Sequence, residues 1–156
     1  MPKQKTFNYG FDDPRYIIKR GKYFTIIFRE RMTTLGNCIF ASNRRCPHMG
    51  QLKPEEMAEF ATLARWYERK IKKLYGASRF NYVAFMMYDK FVHFHVIPRY
   101  EKPVLKYGIV WEDLDWPKMC KMKNTWIDQE LQFKIIDDLR DEKDKAKLRK
   151  EEKNCR

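Results

Sequence analysis

The chain has 156 residues, the size of one ordinary domain, and two full domains would be cramped in it. Hydrophobic residues make up 44% of the sequence and aromatic residues 15%, which is enough to bury a core although 35% of the residues are charged. The formal net charge of +12 favours partners that carry phosphate, such as nucleotides, nucleic acid or acidic membranes. It also agrees with a lysine-rich surface that only keeps the protein soluble.

Nothing in the sequence indicates secretion or a membrane span. The first ten residues lack the apolar segment of a signal peptide, and no run of about 18 apolar residues occurs. The four cysteines, Cys38, Cys46, Cys120 and Cys155, lie far apart and form no visible disulfide framework. We therefore expect a cytoplasmic protein with reduced thiols and no membrane partner.

The first half of the chain predicts three strands and one long helix. YIIKR and YFTIIF (residues 23–28) flank Gly21 and predict a hairpin, and CIFAS (residues 38–42) predicts a third strand. A proline, two glutamates and a run of apolar residues at helical spacing follow, and lysines and Gly76 mark the end of that run. This pattern predicts a helix over residues 54–75.

The next segment predicts a second hairpin. FNYVAFMMY and FVHFHVIP are strongly β-prone and are separated by only Asp89 and Lys90, which indicates a tight turn in a largely antiparallel sheet. Residues 101–125 lack a regular pattern. We expect them to be irregular but packed, because Trp111 and Trp116 are costly to leave in water.

The last part of the chain predicts a helical extension. Apolar residues recur at helical spacing from Trp126, and a charged tail follows whose last dozen or so residues could be disordered. We therefore expect an α+β fold with an antiparallel sheet of about five strands and one long helix on one face. The predicted division is a domain over residues 1–125 and a charged helical extension over residues 126–156.

Strand alternation gives the segment FVHFHVIP two different faces. One face carries only apolar side chains and suits packing against the long helix: Val92, Phe94 and Val96. The other carries the two histidines: Phe91, His93, His95 and Ile97. The imidazoles of His93 and His95 are therefore expected side by side on an open face, about 7 Å apart along the strand.

Three interpretations of the two histidines are open. They could fill a half-buried face, hold a metal or bind an anion. In the metal interpretation, Cys46 and His48 could complete a zinc site with them. In the anion interpretation, a neutral imidazole attacks phosphorus, a neighbouring protonated imidazole stabilises the developing charge, and Arg99 helps to hold phosphate oxygens.

The run VHFHVIPRY, preceded by a short apolar strand and Asp89, resembles the signature of the histidine triad superfamily. LGNCIFASNRRCPHMGQLKPEEM resembles the family's Gly-His strand, its basic turn and the start of its main helix. The aromatic segment YGIVWEDLDWP resembles one found in some bacterial-type members. The resemblance covers about residues 15–117 and implies the antiparallel fold of that family and a homodimer.

The resemblance also implies an activity. It suggests a hydrolase or transferase that attacks the α-phosphate of a nucleotide and forms a covalent nucleotidyl-histidine. His93 matches the nucleophile, and His95 matches the last triad histidine. The nucleoside pocket of the family matches Ile27, Arg29 and Ile39 in position. The substrate would be a dinucleoside polyphosphate or a nucleotide conjugated to a small group. No cofactor is required for the attack, although Mg²⁺ could accompany a polyphosphate substrate.

Two positions depart from the family pattern. Phe91 occupies the first triad position, and Asn37 replaces the histidine expected after Gly36. A backbone carbonyl could still hold the required tautomer of His93. The expected substrate-binding residues are Ile27, Arg29, Asn37, Ile39 and Arg99. The alternative is a catalytically weak or inactive module that binds nucleotides or RNA in the same pocket.

Overall fold

The computed structural model describes residues 13–154. In chain order the strands are β1 (Ile17–Arg20), β2 (Phe24–Phe28), β3 (Arg31–Met32), β4 (Cys38–Ser42), β5 (Arg79–Val83), β6 (His93–Arg99), β7 (Val104–Lys106), β8 (Ile109–Trp111) and β9 (Thr125–Trp126). The α-helices are α1 (Pro54–Tyr75), α2 (Gln129–Leu139) and α3 (Glu142–Asn154).

The main sheet has five antiparallel strands in the order β1-β2-β4-β6-β5. Its hairpin of β1 and β2, its third strand β4 and helix α1 lie where the sequence predicts them. The α+β architecture with about five strands and one long helix is confirmed. Strand β6 is an interior strand, because it pairs with β4 on one side and with the edge strand β5 on the other.

Helix α1 covers one face of this sheet through aromatic side chains. The ring of Phe60 on α1 lies 4.6 Å from that of Phe94 on β6 and 5.6 Å from that of Phe40 on β4, measured between centroids. Tyr67, also on α1, meets Phe40 edge to face at 5.4 Å. Aromatic side chains of this kind bury about 150–250 Å² each. The apolar face of β6 therefore packs against α1, and its histidine face is turned away from it.

Both ends of α1 follow from the local sequence. At the start, the carboxylate of Glu56 accepts a hydrogen bond from the backbone N–H of Lys53 at 2.7 Å. At the end, Gly76 has φ = 73°, the left-handed conformation that closes many helices. Gly36 before β4 also has positive φ, and a Cβ there would lie 2.8 Å from the side chain of Ile71 on α1. The sheet and the helix thus approach each other closely at Gly36.

The tight hairpin predicted at Asp89 and Lys90 is wrong. Strand β5 ends at Val83, β6 begins at His93, and residues 84–92 form a loop between them. Met87 and Tyr88 are exposed in this loop, so the apolar composition that suggested a strand there does not reflect burial in the sheet. We call residues 84–92 the β5–β6 loop.

The extension also differs from its prediction. Trp126 lies in β9, where it pairs with Arg31, and helix α2 begins only at Gln129 because Asp128 caps it. The charged tail is not disordered through Asn154, since it forms α3. Ion pairs of 2.8 Å join Lys19 to Asp144 and Arg20 to Glu151, and Leu148 is buried; these contacts fix α3 against β1.

Helix α2 belongs to the same hydrophobic core as the sheet. Its buried side chains include Ile135, Ile136 and Leu139. At its end, the guanidinium of Arg140 donates hydrogen bonds of 2.9 Å to the carbonyl of Ile17 and 2.7 Å to that of Pro14. The start of the described chain is therefore joined to the end of α2. The division into a domain over residues 1–125 and a charged helical extension over residues 126–156 stays a prediction.

Several expectations concern the thiols and the membrane. Cys38, Cys46 and Cys120 are free thiols, whereas Cys155 and the first ten residues lie outside the described residues. No helix within residues 13–154 has both the length and the apolar character needed to cross a bilayer.

Candidate active site

Strand β6 brings His93 and His95 together on the face of the sheet opposite α1. Their ring centroids are 5.3 Å apart and the rings are inclined by 76°. In the register of the sheet, Ala41 of β4 lies beside His93, and Ile39 lies beside His95. The structure therefore has two adjacent imidazoles, as the alternation of the sequence predicts.

A backbone carbonyl fixes the tautomer of His93. Its Nδ1 lies 2.7 Å from the carbonyl oxygen of Phe91, and a carbonyl can only accept, so Nδ1 carries the proton. Nε2 then holds the lone pair. The His93 side chain is only 6% exposed. Its Nε2 makes no hydrogen bond within residues 13–154 and is not fully enclosed, so it keeps contact with solvent.

His95 is held in its neutral form. Burial, then the neighbouring His93 and Arg29, lower the pKa of His95 from 6.5 to about 4. Its Nδ1 is buried without a hydrogen-bond partner in the described residues, whereas its Nε2 is not enclosed in this way. The expectation of a protonated neighbour for His93 is therefore wrong at neutral pH in the free protein. His95 can act there as a neutral hydrogen-bonding group.

The three residues expected around the nucleoside lie close to His95. Ile27 of β2 pairs with Ile39 of β4, and Ile39 pairs with His95. The side chains of Ile27, Ile39 and His95 therefore form one row across the sheet. Both isoleucines are buried. Arg29 follows β2 and is close enough to His95 to affect its pKa. The row provides an apolar surface beside the imidazoles.

Arg29 is held by the segment that precedes β9. Its guanidinium donates a hydrogen bond of 3.0 Å to the carbonyl of Lys123 and one of 2.7 Å to Oδ1 of Asn124. It also donates to the carbonyl of Arg31 and to the hydroxyl of Thr33. Arg29 therefore anchors residues 123–124 beside the site, and its planar group already has several partners.

Asn37 is almost entirely buried, with 2% of its surface exposed. Its Oδ1 accepts hydrogen bonds from the backbone N–H groups of Thr33 and Thr34, which closes the turn before β4. Its Nδ2 has no partner in the described residues. The side chain thus has a structural role in the turn and one amide donor that remains unused.

Arg99 does not hold a phosphate site, and this expectation is corrected. Its side chain is 4% exposed and forms an ion pair with Asp113, whose side chain is 2% exposed, at 2.6 Å. The guanidinium also donates to Oδ1 of Asn81 at 2.7 Å and to the carbonyl of Lys118 at 2.9 Å. The position of Arg99 at the end of the histidine segment suggested a free cation, but the irregular segment folds back and supplies these partners.

The zinc set with Cys46 and His48 is not assembled. Within residues 13–154, the only group of three or more potential ligands close enough to share an ion consists of Asp113, Asp115 and Cys120. Cys46 instead directs its thiol toward the carbonyl of His48 at 3.3 Å. In the Asp113 group, the guanidinium of Arg99 already neutralises one carboxylate.

Three residues near the histidines and Phe91 received no role in the site from the sequence. The ring of Phe85 lies 6.1 Å from that of His95. Asp89 interacts electrostatically with His93; burial raises the pKa of Asp89, while its hydrogen bond from the Phe91 N–H and the nearby His93 act in the opposite direction. The guanidinium of Arg45 lies over the ring of Phe91 at 5.6 Å. These residues lie in loops, where periodicity gives no signal.

One open groove lies away from the histidines. It has a volume of about 440 Å³ and is lined by Tyr107 and by residues of α2, among them Phe133 and Asp138. The hydroxyl of Tyr107 donates to the Asp138 carboxylate at 2.5 Å. His93 is almost entirely buried and His95 is half-buried, so only part of each ring is accessible.

Comparison with known proteins supports the fold of the resemblance. No protein-family model matches the chain, and no curated protein matches it in sequence. Several solved structures do match. A histidine triad protein of Sinorhizobium meliloti has a TM-score of 0.63 at 18% identity, with 79% of this chain and 85% of that chain covered.

Two further structures agree. A hypothetical histidine triad nucleotide-binding protein of Sulfolobus tokodaii has a TM-score of 0.58 at 16% identity, covering 80% of this chain and 83% of that one. The diadenosine triphosphate hydrolase of Plasmodium falciparum, solved with cyclomarin A, has a TM-score of 0.59 at 15% identity, covering 80% and 74%. At such identities the likeness concerns the fold alone. This chain has the fold of the histidine triad superfamily.

Proposed function

We propose that this protein is a nucleotide hydrolase or nucleotidyl transferase that attacks the α-phosphate of its substrate through a covalent nucleotidyl-histidine on His93. The observation that carries the proposal is the hydrogen bond of 2.7 Å between Nδ1 of His93 and the carbonyl of Phe91. It places the lone pair on the solvent-facing Nε2, as a nucleophile requires. The bond uses the backbone of residue 91, so it does not need a histidine side chain there.

The proposed reaction has two steps. In the first, Nε2 of His93 donates its lone pair to the α-phosphorus, a nitrogen–phosphorus bond forms, and the bond to the leaving oxygen breaks with its electron pair remaining on that oxygen. In the second, a water attacks the same phosphorus, the nitrogen–phosphorus bond breaks, and the imidazole is regenerated as the water loses a proton. The products are a nucleoside monophosphate and the leaving group; another acceptor in place of water gives a transfer reaction.

His95 supports the phosphate in this mechanism. With its pKa near 4 it is neutral at pH 7, and a proton on its solvent-facing Nε2 makes it a hydrogen-bond donor. A donor at 5.3 Å from the His93 ring, measured between centroids, is suited to phosphate oxygens. The attack requires no metal, and Mg²⁺ could accompany a polyphosphate substrate.

The fold supports a nucleotide as the substrate. Chains with this fold include a diadenosine triphosphate hydrolase and a nucleotide-binding protein. The row of Ile27, Ile39 and His95 would place the nucleoside, with Arg29 at its edge. By the same resemblance we propose a homodimer, which sedimentation equilibrium would detect.

A second candidate is a nucleotide-binding or RNA-binding module without turnover. Two residues favour it, because Phe91 lacks the first triad imidazole and Asn37 uses its carbonyl oxygen inside its own turn. An RNA-binding module should lose affinity steeply as the salt concentration rises, because many phosphates are contacted. A hydrolase should bind one mononucleotide at each site.

Removal of the nucleophile tests the proposal. His93→Ala should still bind adenosine monophosphate in calorimetry but should lose turnover of diadenosine triphosphate by more than about 1,000-fold, because only the transition state needs the nucleophile. His48→Ala, which changes an exposed loop histidine, is the matched control and should retain full turnover. Circular dichroism should show that both variants are folded.

Trapping the intermediate gives an independent test. Mixing the wild-type protein with substrate and quenching under alkaline conditions should leave one nucleotide on a peptide that contains His93, as detected by mass spectrometry. Undiminished turnover in His93→Ala would refute the catalytic mechanism. Nucleotide binding with no turnover in the wild-type protein would favour the binding module.

A further inference from the structure

The loop after β4 places a guanidinium beside the start of β6. Two backbone hydrogen bonds hold this loop, from Ser42 N to the carbonyl of Val92 at 3.0 Å and from Val92 N to the carbonyl of Cys46 at 2.7 Å. Between these contacts, Arg45 lies with its guanidinium carbon 5.6 Å from the centroid of the Phe91 ring. This distance is within the range of a cation–π contact. The position of Arg45 is therefore defined by backbone pairing and by Phe91.

Arg45 retains its capacity to bind an anion. Its neighbour Arg44 forms an ion pair with Glu56 at 2.5 Å and donates to the carbonyl of Gln51. Arg45 is exposed and has no ion pair with a carboxylate of residues 13–154. A ring contact uses only the face of the guanidinium, so the N–H groups at its edge remain available for phosphate oxygens.

The register of the sheet gives the direction in which a substrate would extend. The proposed nucleoside row crosses β2, β4 and β6 at His95, and the next row along β6 contains His93. Phe91 and Arg45 lie beyond His93, on the side away from the nucleoside row. A nucleotide whose α-phosphate is at His93 would therefore direct its further phosphates toward Arg45.

A negative charge lies near His93, so a phosphate chain that binds there needs a cation beside it. The carboxylate of Asp89 is close enough to His93 to interact with it electrostatically, and it would repel an approaching phosphate chain. The Phe91 ring offers no hydrogen-bond donor in place of the missing imidazole. A guanidinium held on that ring supplies both positive charge and donors at the same place.

We propose that Arg45, held over Phe91, forms a second anion subsite that binds the phosphates beyond the one attacked by His93. This inference rests on the proposed function and narrows its substrate class. A subsite for additional phosphates favours a dinucleoside polyphosphate over a nucleotide conjugated to a small neutral group. Arg45 would stabilise the negative charge that develops on a departing phosphate chain.

Binding measurements with two probes test the subsite. Arg45→Ala should lower the affinity for diadenosine triphosphate by about 10-fold or more, because a charge-assisted hydrogen bond is lost. Its affinity for adenosine monophosphate, which has no phosphate beyond the first, should change less than about 2-fold. Calorimetry with the full chain measures both values, with and without Arg45→Ala, in a His93→Ala background that does not turn over the probe. Competition by inorganic triphosphate should be weaker in Arg45→Ala than in the wild type.

Two further variants separate the loss of the subsite from the general effect of removing a surface charge. Arg65→Ala removes the same charge from the exposed side of α1, on the opposite face of the sheet, and should change neither affinity by more than about 2-fold. Phe91→Leu keeps the backbone carbonyl that holds His93 but removes the ring under Arg45. It should selectively weaken binding of diadenosine triphosphate, by less than Arg45→Ala does.

The outcomes distinguish this inference from the proposed function. If Arg45→Ala weakens both probes equally, or neither, the subsite is refuted although the nucleotide pocket stands. If the wild-type protein binds neither probe, both the pocket and the subsite are refuted. Because binding does not depend on turnover, a protein that binds without catalysis would refute the hydrolase mechanism and still decide the role of Arg45.

Discussion

The half-buried imidazole of His95 should make the stability of the protein fall as the pH is lowered. The pKa of His95 is about 4 in the folded protein and 6.5 in an unfolded chain, so unfolding takes up a proton between these values. The contribution of His95 to stability is therefore complete above pH 6.5 and is lost progressively as the pH falls toward 4. Each unit of pKa difference corresponds to about 1.4 kcal/mol.

The magnitude follows from these values. Between pH 7 and pH 5, linkage gives a loss of about 2 kcal/mol in the free energy of unfolding. Solvent at the partly exposed ring reduces the expected loss to about 1–2 kcal/mol. In His95→Gln, this part of the pH dependence should disappear, because glutamine does not titrate.

Urea denaturation at pH 7, 6 and 5 measures the effect. The free energy of unfolding of the wild type should fall by about 1–2 kcal/mol more than that of His95→Gln over this range. His48→Gln removes an exposed histidine and should follow the wild-type curve. Parallel curves for the wild type and His95→Gln would show that His95 is not held neutral by its surroundings.

Three other substitutions test the packing around the site. Arg99→Ala should destabilise the fold by about 3–5 kcal/mol in urea denaturation, because Asp113 would remain buried without its partner. Gly36→Ala should cost about 1–3 kcal/mol in the same assay, because φ is +80° and a Cβ would lie 2.8 Å from a side chain of α1. Asp89→Asn should raise the melting temperature at pH 7 but not at pH 3.5, because burial raises the pKa of Asp89 and disfavours its charged form.

The first two of these predictions have a control variant, and the third has a result that would contradict it. Lys134→Ala breaks an exposed pair with Glu130 and should cost less than about 1 kcal/mol. Gly50→Ala adds a Cβ where nothing lies within 4 Å and should leave stability nearly unchanged. For Asp89→Asn, an equal change of melting temperature at both pH values would contradict the role given to its charge.

Periodic segments could be predicted from the sequence because burial imposes their pattern. Helix α1 runs from residue 54 to 75 as expected, since one face must meet the aromatic side of the sheet. The position of His93 and His95 on the same face of β6 follows from strand alternation in the same way. In each case the signal is local, because neighbouring residues in the chain share the same surroundings.

The predictions that were wrong concern residues whose contacts are distant in sequence. Arg99 was expected to meet phosphate, and only the return of the chain at Asp113 shows that it is already paired. The end of the charged tail was expected to be disordered, yet Leu148 is buried and charged residues of α3 pair with β1. Arg45 went unnoticed because its position depends on a backbone contact between two loops. Composition and spacing contain no information about such partners.

The hydrogen bonds of Arg140 have a consequence for synthesis on the ribosome. This guanidinium donates to carbonyls at Ile17 and Pro14, so the first strand of the sheet is completed by a side chain made more than 120 residues later. A nascent chain that has emerged only through residue 125 would present the outer side of β1 without its helical cover. The final folding step should therefore follow the emergence of α2 and α3, which makes early folding intermediates targets for chaperones.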